Sequence, residues 1–329
     1  MNRRIIALGS SICMTAALLV ATQTATAPLA EAATTSPFSY SYYVNGTETG
    51  WAYNQGYSLG RLAYSYAGTQ RFTTILDFGA MYLSGGTWKL SNWTSAGITL
   101  DVAGQMVFEF GMGFYAGVGT DHSSIVYIGL GTNSGGSQVN GNAGAALAAK
   151  VVALNKSSSS WYYKTVFFVG AIDFEGGWAS GTADRNWFNG YMGYAGRPAL
   201  FNYGSADGCP PQGSACGPLT AYDIWYLSWS GAAYPVPEIY RTDKIQAKQW
   251  KWLSNYSVAT MKSSYFTFEG VMTQYNACLQ RGNCANGTPG ATNNFPGTGW
   301  QQLYDQLTTA PTVGGGIYNN PTDIQWKVK

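Results

Sequence analysis

Two carboxylates one residue apart close the most apolar run in the middle of the chain. Residues 165–178 read TVFFVGAIDFEGGW, with Asp173 and Glu175 just ahead of a Gly-Gly stop. The run is rich in β-branched and aromatic residues and predicts a buried strand. Side chains alternate faces along a strand, so Asp173 and Glu175 share a face about 6.5–7 Å apart along the chain. Val169 and Ala171 lie on that face, and Phe168, Ile172 and Phe174 on the other. Charge confined to the C-terminal end of an apolar strand is how barrel enzymes present catalytic groups. The competing reading is a pair of carboxylates satisfied by Arg or by backbone N–H groups.

Such a pair suits glycosidic hydrolysis, which needs one carboxyl kept protonated for the leaving oxygen and one ionised at the anomeric carbon. Crowding raises the pKa of one member and so separates the two roles. Glu175 is the expected acid, with Asp173 or Asp77 as charge stabiliser. Asp77 ends an earlier strand, residues 73–79. Residues 105–114 also alternate: Phe108, Phe110, Met112 and Phe114 face one way, and Glu109 with Gly111 and Gly113 the other. Glu109 is therefore a possible additional acid. Flat rings for stacking on sugars are expected from Trp178, Tyr203, Trp225, Trp229 and Trp250, with Asn202 beside Tyr203 on the rim. Other chemistries lack their parts. His122 is the sole histidine, so a Ser-His-Asp hydrolase would have to use it, and a solvated loop histidine is the better reading. The Gly/Asn loop after residue 130 lacks the lysine of a P-loop. Scattered carboxylates could at most hold calcium, so no metal and no cofactor is expected.

The elements that position these groups alternate. Strands are expected at 73–79, 105–114, 124–130, 165–173, 198–203, 221–230, 237–240, 264–273 and 322–326. Helices are expected at 141–155, 182–191, 272–279 and 300–307. Alternation implies parallel strands with right-handed crossovers, and about eight strands over about 250 residues fit a closed α/β barrel of the (β/α)8 TIM-like kind. A doubly wound open sheet is the alternative, but its glycine fingerprint is absent. Residues 33–70, rich in Tyr and Gly without a clear period, read as an N-terminal arm. Residues 71–329 read as the barrel, with 256–329 as its completion or a decoration.

Arg3 and Arg4, the apolar run from Ile5, and Ala30-Glu31-Ala32 predict a secretory signal over residues 1–32 and an extracellular or cell-wall location. Charged residues are only 10% of the chain and aromatics 15%, with a formal net charge of +2. Near-neutrality argues against nucleic acid or an anionic membrane as partner and favours neutral, hydroxyl-rich ligands such as polysaccharide or peptidoglycan. Cys209/Cys216 and Cys278/Cys284 form two close pairs, which in an oxidising compartment predict two local disulfides.

Four patches together, Leu76-Asp77-Phe78-Gly79, Asp173-Phe174-Glu175, Ile224-Trp225 and Gln249-Trp250, resemble the lysozyme-type family 25 glycoside hydrolases. The Ala-x-Asp-x-Glu-x-x-Trp segment at 171–178 is similar to uncharacterised exported proteins of Gram-positive soil bacteria. The first resemblance implies a secreted barrel that cleaves peptidoglycan, with Glu175 in the proton donor's place and Asp77 and Asp173 in the acidic cluster. A non-catalytic carbohydrate-binding or cell-surface protein on the same scaffold is the second expectation, and a structural exoprotein the third.

Overall fold

A computed structural model describes residues 37–94, 96–136, 138–158, 164–282, 284, 291–309 and 315–327. The expected signal at 1–32 lies outside them. In chain order the elements are β1 (Ser39–Tyr43), α1 (Thr49–Ser65), β2 (Arg71–Ser84), β3 (Thr87–Leu90), β4 (Ile98–Thr99), α2 (Leu100–Gly117), β5 (Ile125–Asn133), α3 (Gly141–Ser158), β6 (Val166–Asp173) and α4 (Gly181–Gly193). Then follow β7 (Leu200–Asn202), α5 (Ala221–Trp229), β8 (Ala233–Pro235), α6 (Ile245–Ala259), β9 (Thr267–Phe268), β10 (Met272–Thr273), α7 (Tyr275–Arg281), α8 (Pro296–Thr308), β11 (Gly316–Ile317) and β12 (Thr322–Trp326).

The main sheet runs β10-β12-β1-β2-β5-β6-β7-β8, with every neighbouring pair parallel. It curls through 250° and leaves its edges 10 Å apart, an open half-barrel instead of the expected closed (β/α)8 ring. The sequence of the seam explains this. Pro235 and Pro237 have no N–H to give, so β8 cannot extend a ladder toward β10. A single parallel bridge joins Glu238 to Met272, where the Met272 N–H donates to the Pro237 carbonyl at 2.9 Å and the Ile239 N–H to the Met272 carbonyl at 2.8 Å.

The segment expected to be an arm contributes a central strand instead: β1 lies between β2 and β12. At the other end of the chain, β10 and β12 carry the sheet to its edge, so residues after 256 are part of it. Inside the curl sits a small apolar cluster of Ile75, Val169, Ala171, Phe201, Tyr203, Val236, Tyr240, Met272 and Ile324. The larger cores lie between the sheet and its helices.

Two expected strands are helices. Residues 100–117 form α2 because Thr99 caps it, accepting from the Val102 N–H, and because Ala103, Met106, Val107, Phe110 and Phe114 bury at 3–4-residue spacing. The alternation from 105 to 114 is one stretch of that helical pattern, made ambiguous by small residues. Residues 221–229 form α5, opened by a capping box between Thr220 and Asp223. The stretch expected as loop at 84–99 contributes β3, antiparallel to the end of β2, and β4, antiparallel to β3. Among the described residues no helix is long and apolar enough to cross a membrane.

Gly113 and Gly117 of α2, with Gly56 and Gly60 of α1, let the two helices touch through their backbones. A Cβ on Gly113 would come within 2.0 Å of the Tyr53 carbonyl oxygen, and one on Gly60 within 2.3 Å of the Phe114 carbonyl oxygen. Backbone atoms cannot move aside as a side-chain tip can. Gly113→Ala is therefore expected to destabilise the fold by about 1–3 kcal/mol, read as a lower midpoint in urea unfolding. The exposed Gly50→Ala, which meets no atom within 4 Å, serves as the comparison and should leave the midpoint nearly unmoved.

Candidate functional site

All eight strands of the curl point the same way, so their C-terminal ends form one rim. β6 delivers Asp173 there on its inner face, above Val169 and Ala171, while Phe168, Ile172 and Phe174 pack against the helices. Glu175 follows two residues later and is half-buried. The third member, Glu238, comes from the segment that bridges the seam. One carboxylate oxygen each from Asp173, Glu175 and Glu238 lie within 4.8 Å of one another. Asp77 reaches the same layer from β2, and its charge bears on Asp173. Its Oδ1 accepts the Gly79 N–H at 2.7 Å across a bulge where Gly79 takes a φ of +76°. The four ion pairs among the described residues use Asp101, Asp223, Asp243 and Glu48, and none of the four clustered carboxyls.

Burial without counter-charge sets the electrostatics. Asp77 is 0% exposed, Glu238 5% and Asp173 6%. Burial pushes the Asp77 carboxyl up to about 7, against the pull of the Gly79 N–H and the Tyr203 hydroxyl. Asp173 is raised well above the usual carboxylate range by burial, then by Glu238, Glu175 and Asp77. Glu238 is raised well above it too, by burial first and then Glu175. Glu175 is raised by its partial burial and by Asp207. Asp77 Oδ2 and Asp173 Oδ1 are buried with no hydrogen-bond partner. A carboxylate oxygen in that position is expensive when charged. The group therefore holds protons near neutral pH. Three carboxylates could also gather a hard divalent cation, with water completing its shell.

Three tyrosines complete the layer. The Tyr43 hydroxyl accepts from Gln274 Nε2 at 2.7 Å, and Gln274 Oε1 accepts from Arg281 Nη2 at 2.6 Å. The Tyr43 proton is thus left to donate. Burial and the charges of Glu238, Asp173 and Asp77 hold its phenol protonated. Tyr240 hydrogen-bonds Glu238 and pulls its pKa down, though less than burial raises it. Tyr203 donates to the Thr132 carbonyl at 2.9 Å from beneath.

The structure thus gathers Asp173, Glu175 and Asp77 and separates most of the other expected site residues. Glu109 lies on α2, half-exposed, and accepts from Gln105 Nε2 at 2.9 Å in an ordinary i, i+4 pair. Asn202 shares the outward face of β7 with Leu200, and its Nδ2 donates to Ser228 Oγ of α5 at 2.8 Å. Trp225 and Trp229, placed on a strand by the sequence reading, sit on α5 and pack into the helix-side core with Trp250. Trp225 Nε1 donates to Ser257 Oγ at 3.0 Å. Tyr203 reaches the site, but as a buried floor. Trp178 stands 43% exposed beside Glu175, whose carbonyl accepts its N–H at 3.3 Å. The disulfides join Cys209 to Cys216 and Cys278 to Cys284. The first pins a loop whose Pro218 lies against Gly176, and Asp207 at its start adds negative charge to the rim.

Glu238 was missed by sequence reasoning, although it repeats the signal that marked Asp77: a carboxylate closing a short apolar run. It lies within the strand expected at 237–240, but its carboxylate was not drawn into the acidic group. Two surface clefts of about 420 and 410 Å³ lie among the outer helices, lined by Trp88 and Lys150 in one and Asn155 and Pro198 in the other. Neither reaches the carboxyls.

The raised pKa of Asp77 has a definite sign for stability. Its unfolded value is 3.8 and its folded value about 7. The folded chain thus binds more protons than the unfolded one between those values, and stability falls as pH rises through that window. Asp77→Asn removes the titration. Its melting temperature is expected to exceed that of the wild type at pH 8, by an amount that shrinks toward pH 4. A constant difference across that range in thermal unfolding would show that Asp77 does not titrate as described.

No family model, curated protein or solved structure matches this chain, and what it does must be read from the rim itself.

Proposed function

We propose that this is an exported protein that hydrolyses glycosidic bonds in a cell-wall or environmental polysaccharide by carboxylate acid–base chemistry. The convergence of Asp173, Glu175 and Glu238 within 4.8 Å, with no ion pair to them among the described residues, carries the proposal. Ionising one member of such a group holds its neighbours neutral. That inequality is what an acid and a nucleophile on one sugar require. Glu175 is the proton donor, because it alone of the cluster is half-exposed and can meet the glycosidic oxygen. Asp173 attacks the anomeric carbon as the carboxylate, a form that burial and Glu238 disfavour in the free protein and that the positive charge developing at the anomeric carbon favours. Asp77, fully buried, is a positioning residue that adds negative potential from behind.

The close spacing favours retention. Retaining enzymes hold their carboxyls about 5–5.5 Å apart, whereas inverting ones need about 6.5–9.5 Å to admit a water. In the first step Glu175 gives its proton to the leaving oxygen as Asp173 bonds to the anomeric carbon. In the second Glu175 takes a proton from water, which displaces Asp173 and restores both groups. The expected signal peptide at 1–32 and the near-neutral composition support an extracellular neutral glycan as substrate.

The near-complete burial of Asp173 and Glu238 favours one alternative, a protein that binds glycan through these groups without cleaving it. Reducing-end release over a panel of polysaccharides that includes peptidoglycan separates the two. The hydrolytic reading expects activity on at least one substrate, a loss of about 10²–10⁴-fold in kcat for Glu175→Gln, a comparable loss for Asp173→Asn, and no effect of a chelator. Glu175→Gln with wild-type activity would remove Glu175 as the acid. Binding without release of reducing ends would establish the alternative.

A further inference from the structure

Two groups on the rim each lack half of a hydrogen bond. Asp173 Oδ1 is buried with no donor. The Tyr43 hydroxyl accepts from Gln274 Nε2 at 2.7 Å, and among the described residues its own proton goes to no acceptor. Tyr43 ends β1, pairs in register with Asp77, and packs against the apolar cluster inside the curl. The charges of Glu238, Asp173 and Asp77 bear on its phenol. The unused proton and the unused acceptor therefore occupy one layer.

What aims that proton is a side chain outside the layer. A glutamine amide can turn over, offering its oxygen where its nitrogen stood. Were Gln274 to do so, Oε1 would take the Tyr43 proton, and the phenol would face the acids with lone pairs alone. Arg281 prevents this. A guanidinium has donors and no acceptor, and Arg281 Nη2 donates to Gln274 Oε1 at 2.6 Å. Thr292 Oγ1 donates to the same oxygen at 3.2 Å and accepts from Arg281 Nη2 at 3.2 Å. A hydroxyl could serve either orientation of the amide; a guanidinium serves one. Gln274 is 8% exposed, so water cannot readily replace a lost partner there. Exposed Arg281 ends α7, the helix that begins directly after Gln274, and lies within the loop closed by Cys278 and Cys284.

We infer that Arg281 and Gln274 are positioning residues that turn the Tyr43 hydroxyl proton toward the acid group, where it donates to Asp173 once that carboxyl ionises. Such a donor favours the carboxylate form that burial opposes, and it brings no counter-charge. The other groups facing Asp173 do not help in this way. Glu238, Glu175 and Asp77 repel its charge, and Asp207 acts on Glu175 and Glu238 in the same sense. Tyr203 donates to the Thr132 carbonyl, and Tyr240 is hydrogen-bonded to Glu238. Tyr43 is the tyrosine of the layer whose proton is uncommitted. The inference deepens the hydrolytic reading and rests on it only for the step in which Asp173 must be ionised.

Infrared absorption of protonated carboxyl groups, followed against pH, tests this without a substrate. The band lost in Asp173→Asn identifies the group. Its midpoint should rise by about one pH unit in Tyr43→Phe and in Arg281→Met. Arg281→Lys, which still offers donors alone, should leave it near the wild-type value. Arg281→Met changes an exposed residue, so the test survives if Tyr43→Phe does not fold. A midpoint unmoved by Tyr43→Phe or by Arg281→Met, or moved as far by Arg281→Lys, overturns the inference. The two readings fail separately. The expected shifts in a protein that releases no reducing ends remove hydrolysis and keep the donor. Release of reducing ends with kcat and its acidic limb the same in wild type and Tyr43→Phe does the reverse.

Discussion

Like charges cannot be buried together and all remain charged, and this constraint governs the rim. Asp77, Asp173 and Glu238 are almost wholly enclosed, Glu175 is half-enclosed, and among the described residues no Lys or Arg forms an ion pair with them. In water such carboxyls would all ionise. Under the rim, desolvation outweighs the few hydrogen bonds that favour the charged form, so protons stay bound. The tyrosines are the fold's partial answer: neutral donors that can steady a carboxylate without cancelling its charge. An arginine in the same place would have stabilised the fold more and abolished the inequality between the acids.

The curled parallel sheet is what brings these groups together. Its strands share one direction, so residues far apart in sequence finish on one layer: Tyr43 pairs with Asp77 and with Trp326, and Asn133 with Asp173. The interior has little room to spare beneath them. A Cβ on Gly131 would lie 2.8 Å from the Leu76 carbonyl oxygen and 3.0 Å from the Asp77 Cα, so only glycine lets β5 and β2 pack that closely below the acid. The prolines of the seam stop the ladder and leave Glu238 on a stretch tied by one bridge. The same break that keeps the sheet from closing frees that segment to turn its carboxylate toward Asp173.

How much of this was legible depended on how local its cause was. Asp173 and Glu175 could be placed on the inner face because strand alternation is a property of seven consecutive residues. Thr322–Trp326 was legible for the same reason, as were the two disulfides with loops of six and seven residues. Residues 105–114 were not, because a helix packed on another helix through glycine shows a spacing that a strand with small inward residues also shows. Trp225 and Trp229, four apart, obey the helical period, and the capping pair Thr220 and Asp223 marked the start of α5. β1 was hidden by tyrosines on both faces, which blur alternation in a strand flanked on each side. Glu238 and Trp93 depend on long-range register and on backbone strain, and composition reports neither.

Strain and unpaired charge fall on the same few residues, and that coincidence bears on function more than either does alone. Asn92 and Trp93 hold left-handed conformations through hydrogen bonds to Phe78 and Asp77, the segment that also carries the buried acid. Gly79 turns between them with its N–H on Asp77 Oδ1. A fold under selection for stability alone would relax this segment with a glycine at 93 and a neutral residue at 77. It retains both unfavourable features where three strand ends meet, next to an exposed ring and a half-exposed carboxyl. Away from the rim the buried ionised groups Asp223 and Lys327 are paired, to Arg185 and Glu48, and glycines such as Gly60 and Gly113 join helix to helix, as ordinary packing requires. Elsewhere the two features occur apart, with Asp184 buried without a partner and Lys244 and Lys262 at positive φ, whereas at this end of the sheet they meet, and that is the end at which a ligand must be sought.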